Sequence, residues 1–286
     1  MTLKIKYDPE IYLIARPTFI VEEMRRFLHK NDMSGEKLRD ASGTDAEKIT
    51  EMATRLCYQS YKTGRKSSDF HTNIIESGHG STLEHVNWTF IIAGVSRSFS
   101  HELVRHRAGF AYSQLSQRYV DASDIAFVMP PAIQQLSVID RDVWQWSMVQ
   151  SLDAYKAQVK QLIDAYTKAE LENGVFGDNV KSFSKLPRDV KTSIRKRARE
   201  AARSVLPNAA ETHIAVTANA RAWRHFIEMR SADYADAEIR KVAVAIYDVL
   251  VVESPQLFGD FEKEEQDLGW FDEELPPALV TKNHKI

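Results

Sequence analysis

The sequence predicts an α+β chain. Three observations carry that expectation. Apolar residues recur at helical spacing in several long stretches, above all 141–172. Val86, Trp88 and Phe90 alternate with polar neighbours, as in a half-buried strand. Helical and extended stretches follow one another without a repeating βαβ rhythm. The 286 residues show no composition break and read as a single domain, 1–286, of mixed helices with a small antiparallel sheet.

Taken in order, 18–29 (TFIVEEMRRFLH) reads as a helix, with Pro17 suited to its first turn and Val21, Met24, Phe27 and Leu28 as its apolar stripe. A second helix follows at 45–61, with Ile49, Met52, Ala53 and Leu56 on one face. Residues 63–80 read as a loop ending in SGHG, and the strand around 86–90 comes next. Residues 96–107 read as a helix, with Phe99 and Leu103 one turn apart, and 108–119 as irregular chain rich in small residues. In 141–172, Met148, Leu152, Tyr155, Val159, Leu162 and Tyr166 follow alternating spacings of four and three. That is the seam of a helix packed against another within one domain, or of a coiled coil. A helix at 188–205 is expected to bury Ile194, Ala198, Ala201 and Val205. A short strand holds Ile214 and Val216, and a helix starts near residue 220. The helix 235–253 buries Ile239, Val242, Ile246, Val249 and Leu250 before Pro255, and the acidic tail beyond 260 is expected to be mobile.

Composition narrows the function classes. With 43% hydrophobic and 27% charged residues, the chain has the profile of a soluble globular protein with a core. A net charge of −2 leaves any basic site to local clustering of Arg and Lys. The single cysteine, Cys57, excludes an internal disulfide framework and Cys-rich zinc sites, and suits a reducing cytoplasm. The first residues lack a signal-peptide pattern, and no apolar run approaches the roughly 18 residues of a bilayer span.

Four clusters carry chemistry. Arg105-His106-Arg107, followed by 112–119 (YSQLSQRY), sets cationic donors beside hydroxyls, amides and backbone N–H groups, a toolkit for phosphate and an oxygen-rich planar ring. By residue type alone, it is equally a solvated basic surface with a Ser-rich turn. His79 to His85 (HGSTLEH) places imidazoles, hydroxyls and Glu84 ahead of a strand. Neighbours Glu84 and His85 diverge if the strand has begun, so no metal is assigned. Arg195, Arg199 and Arg203 are four apart on one helix face, a row that suits phosphate, RNA or plain solvent. In 219–230, Asn219 is an N-cap candidate, Arg221 and His225 share a face, and Trp223, Phe226 and Met229 read as core.

These four clusters, in this order, resemble the flavin-dependent thymidylate synthases, over roughly residues 45–260. The hallmark is RHR with a Ser seven or eight residues on and an SxR ending, here Arg107, Ser116 and Arg118. ARSVLP (202–207) and VTANARAWRHFIEMRSAD (216–233) support it. The resemblance implies that family's fold and a cytoplasmic homotetramer with FAD held between subunits. It implies conversion of dUMP to dTMP, with methylenetetrahydrofolate supplying the carbon and NADPH reducing the flavin. Carried over by position, Arg105, Gln114, Ser116, Arg118, Arg203 and Arg230 are implied nucleotide contacts, with Arg230 stabilising negative charge on the ring. His79, Ser81, Glu84, His106, Arg107, Asn219, Arg221 and His225 are implied flavin-site residues, and His79 also lies near the folate. Arg230, Ser116 and His79 are the implied catalytic set, Ser116 as an orienting hydroxyl rather than a nucleophile.

Three positions depart from the pattern. The loop after Arg107 is one residue longer than in many relatives. Tyr234 stands where many have a flavin-contacting His, and Glu102 where some have a Gln near dUMP. A carboxylate beside a phosphate is unfavourable, so Glu102 is expected to point elsewhere. Three rival readings remain: a UMP/dUMP methylase of the same superfamily serving nucleoside antibiotic synthesis, an RNA-binding protein using the basic helix 188–203, and a flavin-binding relic without catalysis.

Overall fold

The structure, a computed structural model, describes residues 3–33, 43–60, 66–173, 176, 179–264 and 275–284. The elements run β1 (Ile5–Lys6), β2 (Glu10–Ala15), α1 (Val21–Lys30), α2 (Asp45–Tyr58), α3 (Ser67–Glu76), β3 (Asn87–Ser96), α4 (Arg97–Leu103) and β4 (Phe110–Gln114). They continue with β5 (Phe127–Val128), α5 (Pro131–Gln134), α6 (Val138–Glu172), α7 (Arg188–Ala202), β6 (Glu211–Asn219) and α8 (Ala220–Arg230). α9 (Ala237–Glu253), α10 (Pro255–Phe258), β7 (Glu262–Glu264) and β8 (Ala278–Val280) close the chain. The class is α+β. The main sheet has the order β2-β3-β6-β4, with β2 antiparallel to β3, while β1 and β5 form a short parallel pair. No described helix is long and apolar enough to cross a membrane.

The chain forms two compact units. The first comprises residues 1–8, 94–98 and 114–213, and the second 9–93, 99–113 and 214–286. In the first unit α6 and α7 pack together. Tyr155 and Val159 of α6 meet Ala202 of α7, and Met148 and Leu152 meet Phe127 and Ala210. The four-three spacing in α6 is therefore an intrachain packing seam. On α7 the buried stripe is Ile194, Ala198 and Ala202, whereas Ala201 is exposed. A strict spacing of four sets the stripe, one residue beyond the expected Ala201.

In the second unit the aromatic core gathers β3, α8 and α10. Trp88 packs on Phe258 at 5.7 Å, and Phe90 on Trp223 at 5.3 Å between ring centroids. Burying such rings, at about 1.5–3 kcal/mol each, is what holds α8 against the sheet. α2 opens with a capping box. Thr44 accepts the Glu47 N–H, and Glu47 Oε2 accepts the Thr44 N–H at 2.9 Å. The same buried carboxylate accepts Ser254 Oγ at 3.2 Å and the Gln256 N–H at 2.8 Å through Oε1.

Several expectations need correction. The stretch 63–80 is not all loop: α3 occupies Ser67–Glu76, burying Phe70, Ile74 and Ile75, while 63–65 lie outside the described residues. Its His71 bonds the carbonyls of Ser67 at 2.8 Å and Glu47 at 3.0 Å, a tertiary tie with no local signature. The stretch 108–119 is not all irregular, because β4 joins the sheet at Phe110–Gln114. β1 and β2, which no motif announced, precede α1, and Pro17 lies before α1 rather than in its first turn. The described part of the tail is docked: β8 pairs with β7, and Ala278 and Leu279 are both 1% exposed.

Candidate active site

The second unit holds a cleft of about 620 Å³ at the start of α8, lined by Glu84, Gly109, Asn219, Arg221, His225 and His284 among others. Asn219 caps α8, its Oδ1 accepting the Ala222 N–H at 2.8 Å. The side chain is thereby fixed, and the positive end of the helix dipole faces the cleft. Arg221 Nη1 donates to Glu84 Oε1 at 2.7 Å. Two glycines make this possible. A Cβ on Gly80 would lie 2.9 Å from Arg221 Nε, and one on Gly109 would lie 2.7 Å from Asn219 Nδ2. Gly109 also has φ +76°, the left-handed region that other residues enter at a cost of about 1–2 kcal/mol.

Behind the cleft, the His106 ring lies 6.0 Å from that of His225. Arg230 Nε donates to His106 Nε2 at 2.8 Å, and Arg230 Nη1 to Glu102 Oε2 at 3.0 Å. Burial first, then the charge of Arg230 and the neighbouring His225, pushes His106 down from 6.5 to about 4. At neutral pH the ring is uncharged, and its acceptor role at Nε2 puts its proton on Nδ1. RHR is therefore not three cations in a row: only Arg105 and Arg107 carry charge, and both are exposed. Glu102 forms an ion pair with Arg230. Tyr112 donates to the carbonyls of Leu103 and His106 at 2.9 and 2.6 Å, and burial raises its phenol above the ordinary value. It thus ties the strand after the motif back onto the helix before it.

His79 and Ser81 are close by in sequence but are not among the residues lining the cleft. His79 precedes a 3-10 turn at Gly80–His85, and its ring lies 5.7 Å from that of Tyr58. Met229, expected in the core, is 38% exposed, one residue before the end of α8. Tyr234 is exposed, with its hydroxyl 3.9 Å from Met229 Sδ. Cys57 is exposed on α2 and does not line the cleft.

The first unit carries the other implied nucleotide contacts. Gln114 Nε2 donates to Thr212 Oγ1 at 3.2 Å, and Ser116 Oγ accepts the Arg118 N–H at 3.4 Å. Arg118 Nε donates to Glu200 Oε2 at 2.9 Å, and Arg203 follows Glu200 by three residues, one turn on. Arg97 was not singled out by any motif. It lies half-buried near enough to Arg203 that burial first, and then the Arg203 charge, lowers its pKa. Two guanidinium groups held in mutual repulsion favour an anion beside them. The rest of the α7 basic row is engaged locally. Arg199 binds Asp121 at 2.9 Å and the Tyr119 carbonyl at 2.7 Å, and Arg195 lies over the Phe183 ring at 5.1 Å. A separate, mostly apolar cleft of about 610 Å³ in this unit is lined by Leu115, Gln117, Glu211 and His213 with others.

The family model described as thymidylate synthase complementing protein matches residues 37–256. The chain is 45% identical over 228 residues to the flavin-dependent thymidylate synthase of Mycobacterium sp. (strain JLS), an alignment covering 77% of this chain and 82% of that protein. It is 42% identical over 228 residues to the protein of the same name from Mycobacterium tuberculosis, covering 78% of this chain and 82% of that one. In structure it is similar to the UMP/dUMP methylase PolB from Streptomyces cacaoi bound with 5-Br dUMP. There the TM-score is 0.57 at 19% identity, over 90% of this chain and 96% of that chain, a likeness of fold alone. With the family model spanning most of its length and relatives this similar over most of theirs, the chain belongs to the flavin-dependent thymidylate synthases, a family of methyltransferases.

Proposed function

We propose that this protein converts dUMP to dTMP by reductive methylation, with methylenetetrahydrofolate as carbon donor, NADPH as reductant and FAD as bound cofactor. The observation that carries the reading is the fixed Arg230 guanidinium behind the α8 cleft. His106 holds its Nε and Glu102 its Nη1, which leaves Nη2 to reach a substrate oxygen. A donor held still before the reaction stabilises charge that appears only in the transition state.

The cleft fits a flavin dinucleotide. Asn219, Arg221 and the α8 N-terminus suit its phosphates, and two glycines clear the space these side chains occupy. Glu84 and His225 complete the wall, and His106, Arg107, Ser81 and His79 are assigned to the flavin by the family likeness. When bound, FAD supplies hydride and takes part in transferring the one-carbon unit. The chain's own residues do the rest. Arg105, Arg118 and Arg203, with Arg97 near Arg203, neutralise the substrate phosphate. Gln114 and Ser116 orient the pyrimidine. Arg230 draws electron density toward a ring carbonyl, so that C5 becomes nucleophilic without a thiol adding at C6. Neutral His106 orients Arg230 without competing with it for negative charge. We assign the work to one catalytic domain acting in a cytoplasmic homotetramer, with sites shared between subunits.

The test is direct. The purified protein should be yellow, or turn yellow with FAD, and should form dTMP from dUMP with methylenetetrahydrofolate and NADPH. Protein that stays colourless after incubation with FAD overturns the reading. Parallel assays with dUMP and UMP separate it from a UMP methylase.

A further inference from the structure

The segment beyond the matched family region returns to the cleft. Asp260 accepts both terminal nitrogens of Arg224, at 2.5 and 2.7 Å, together with Thr281 Oγ1 at 2.7 Å and Asn283 Nδ2 at 2.8 Å. Against the upward pull of burial, these bonds hold its carboxyl at about 2. Ser231, fully buried, accepts the Leu279 N–H at 3.1 Å and donates to the Leu279 carbonyl at 3.3 Å. Residues 279–283 are thus fastened to α8 and Asp260, which delivers His284 to the rim of the cleft. There His284 meets Glu228 through Nδ1. Glu228 shares the α8 face of Arg221 and His225, at spacings of four and three.

We propose that His284 is a further cofactor-binding residue, contributed by the C-terminal segment, whose Nε2 donates to a phosphate oxygen of the bound dinucleotide. This rests on the flavin reading of the same cleft. Glu228 occupies Nδ1 and fixes the ring, so Nε2 is the nitrogen left for a ligand. The ring lines the same cleft as Asn219 and Arg221, where the helix dipole favours an anion. A carboxylate behind an imidazole orients it, and between two acceptors, the Glu228 carboxylate and a phosphate, the ring donates from both nitrogens as the imidazolium.

The experiment is titration of the flavin-stripped, full-length protein with FAD and, separately, with riboflavin, which lacks phosphate. His284 is 68% exposed, so His284→Ala should fold normally, as an unchanged melting temperature will register. We expect it to bind FAD about tenfold more weakly, the loss of one charge-assisted hydrogen bond, with riboflavin affinity unchanged and His284→Lys partly restoring FAD binding. FAD binding by His284→Ala equal to that of the unaltered protein overturns the proposal. An equal loss for riboflavin overturns the phosphate contact. Failure of the unaltered protein itself to bind FAD defeats the flavin reading, and the proposal with it.

Discussion

Arg230 and His106 face each other across 2.8 Å, with the arginine donating to an imidazole that stays neutral at physiological pH. The pairing divides labour. The cation is kept available for substrate, and the ring that holds it adds no charge of its own. A lysine at 230 would keep the charge but lose the fork that His106 and Glu102 hold in place.

Arg230→Ala should lower turnover by about 10²–10³-fold, the scale for removing one preorganised donor, while FAD stays bound. The measurements are dTMP formation and the flavin absorption of the purified variant. Near-normal turnover would remove Arg230 from its role.

The His106 shift predicts a pH signature in stability. Its folded value is depressed from 6.5 to about 4, so the unfolded chain holds the extra proton between these limits. The stabilising contribution is complete above 6.5 and is lost as pH falls toward 4. Melting temperatures between pH 7 and pH 4.5 should fall more steeply for the unaltered protein than for His106→Gln. Parallel curves would contradict the assignment.

Gly109→Ala should damage the cleft more than a methyl group suggests. The new Cβ meets Asn219 Nδ2 at 2.7 Å in a backbone conformation that already disfavours alanine. Displacing the α8 cap should weaken FAD binding, read by titration, and lower the melting temperature by the equivalent of about 1–2 kcal/mol.

Asp260→Ala strips a buried guanidinium of its carboxylate, since Arg224 is only 2% exposed. The expected loss is about 3–5 kcal/mol in denaturant unfolding. A loss under 1 kcal/mol would mean that the chain relaxes around Arg224.

The Arg97–Arg203 repulsion should be relieved by phosphate. Binding of dUMP at a hundred times its dissociation constant stabilises the folded state by about 2.7 kcal/mol. Arg203→Ala and Arg97→Gln should each raise the dUMP concentration needed for the same thermal shift. Unchanged dependence in both variants would place the phosphate elsewhere.

Much of this was legible in the residues. The period of α6 announced its seam, Asn219 its cap, and the shared face of Arg221 and His225 their common cleft. What stayed hidden depends on distant partners. Nothing near Arg97 signals Arg203, because their proximity arises from the fold of the first unit. Residues 275–284 look like a polar tail until Asp260 and Ser231 supply the bonds that dock them. α3 was missed because its polar first turn reads as loop, while the bonds of His71 to Ser67 and Glu47 are made only in the folded chain.

The Glu47 carboxylate has a consequence for synthesis. It is 2% exposed, and two of its donors, Ser254 Oγ and the Gln256 N–H, come some two hundred positions later. While the chain is still emerging from the ribosome, the first turn of α2 waits with an anion it cannot bury. A product terminated before Ser254 strands that anion permanently, so shortened forms should be cleared by cellular proteases rather than accumulate as a partly working enzyme.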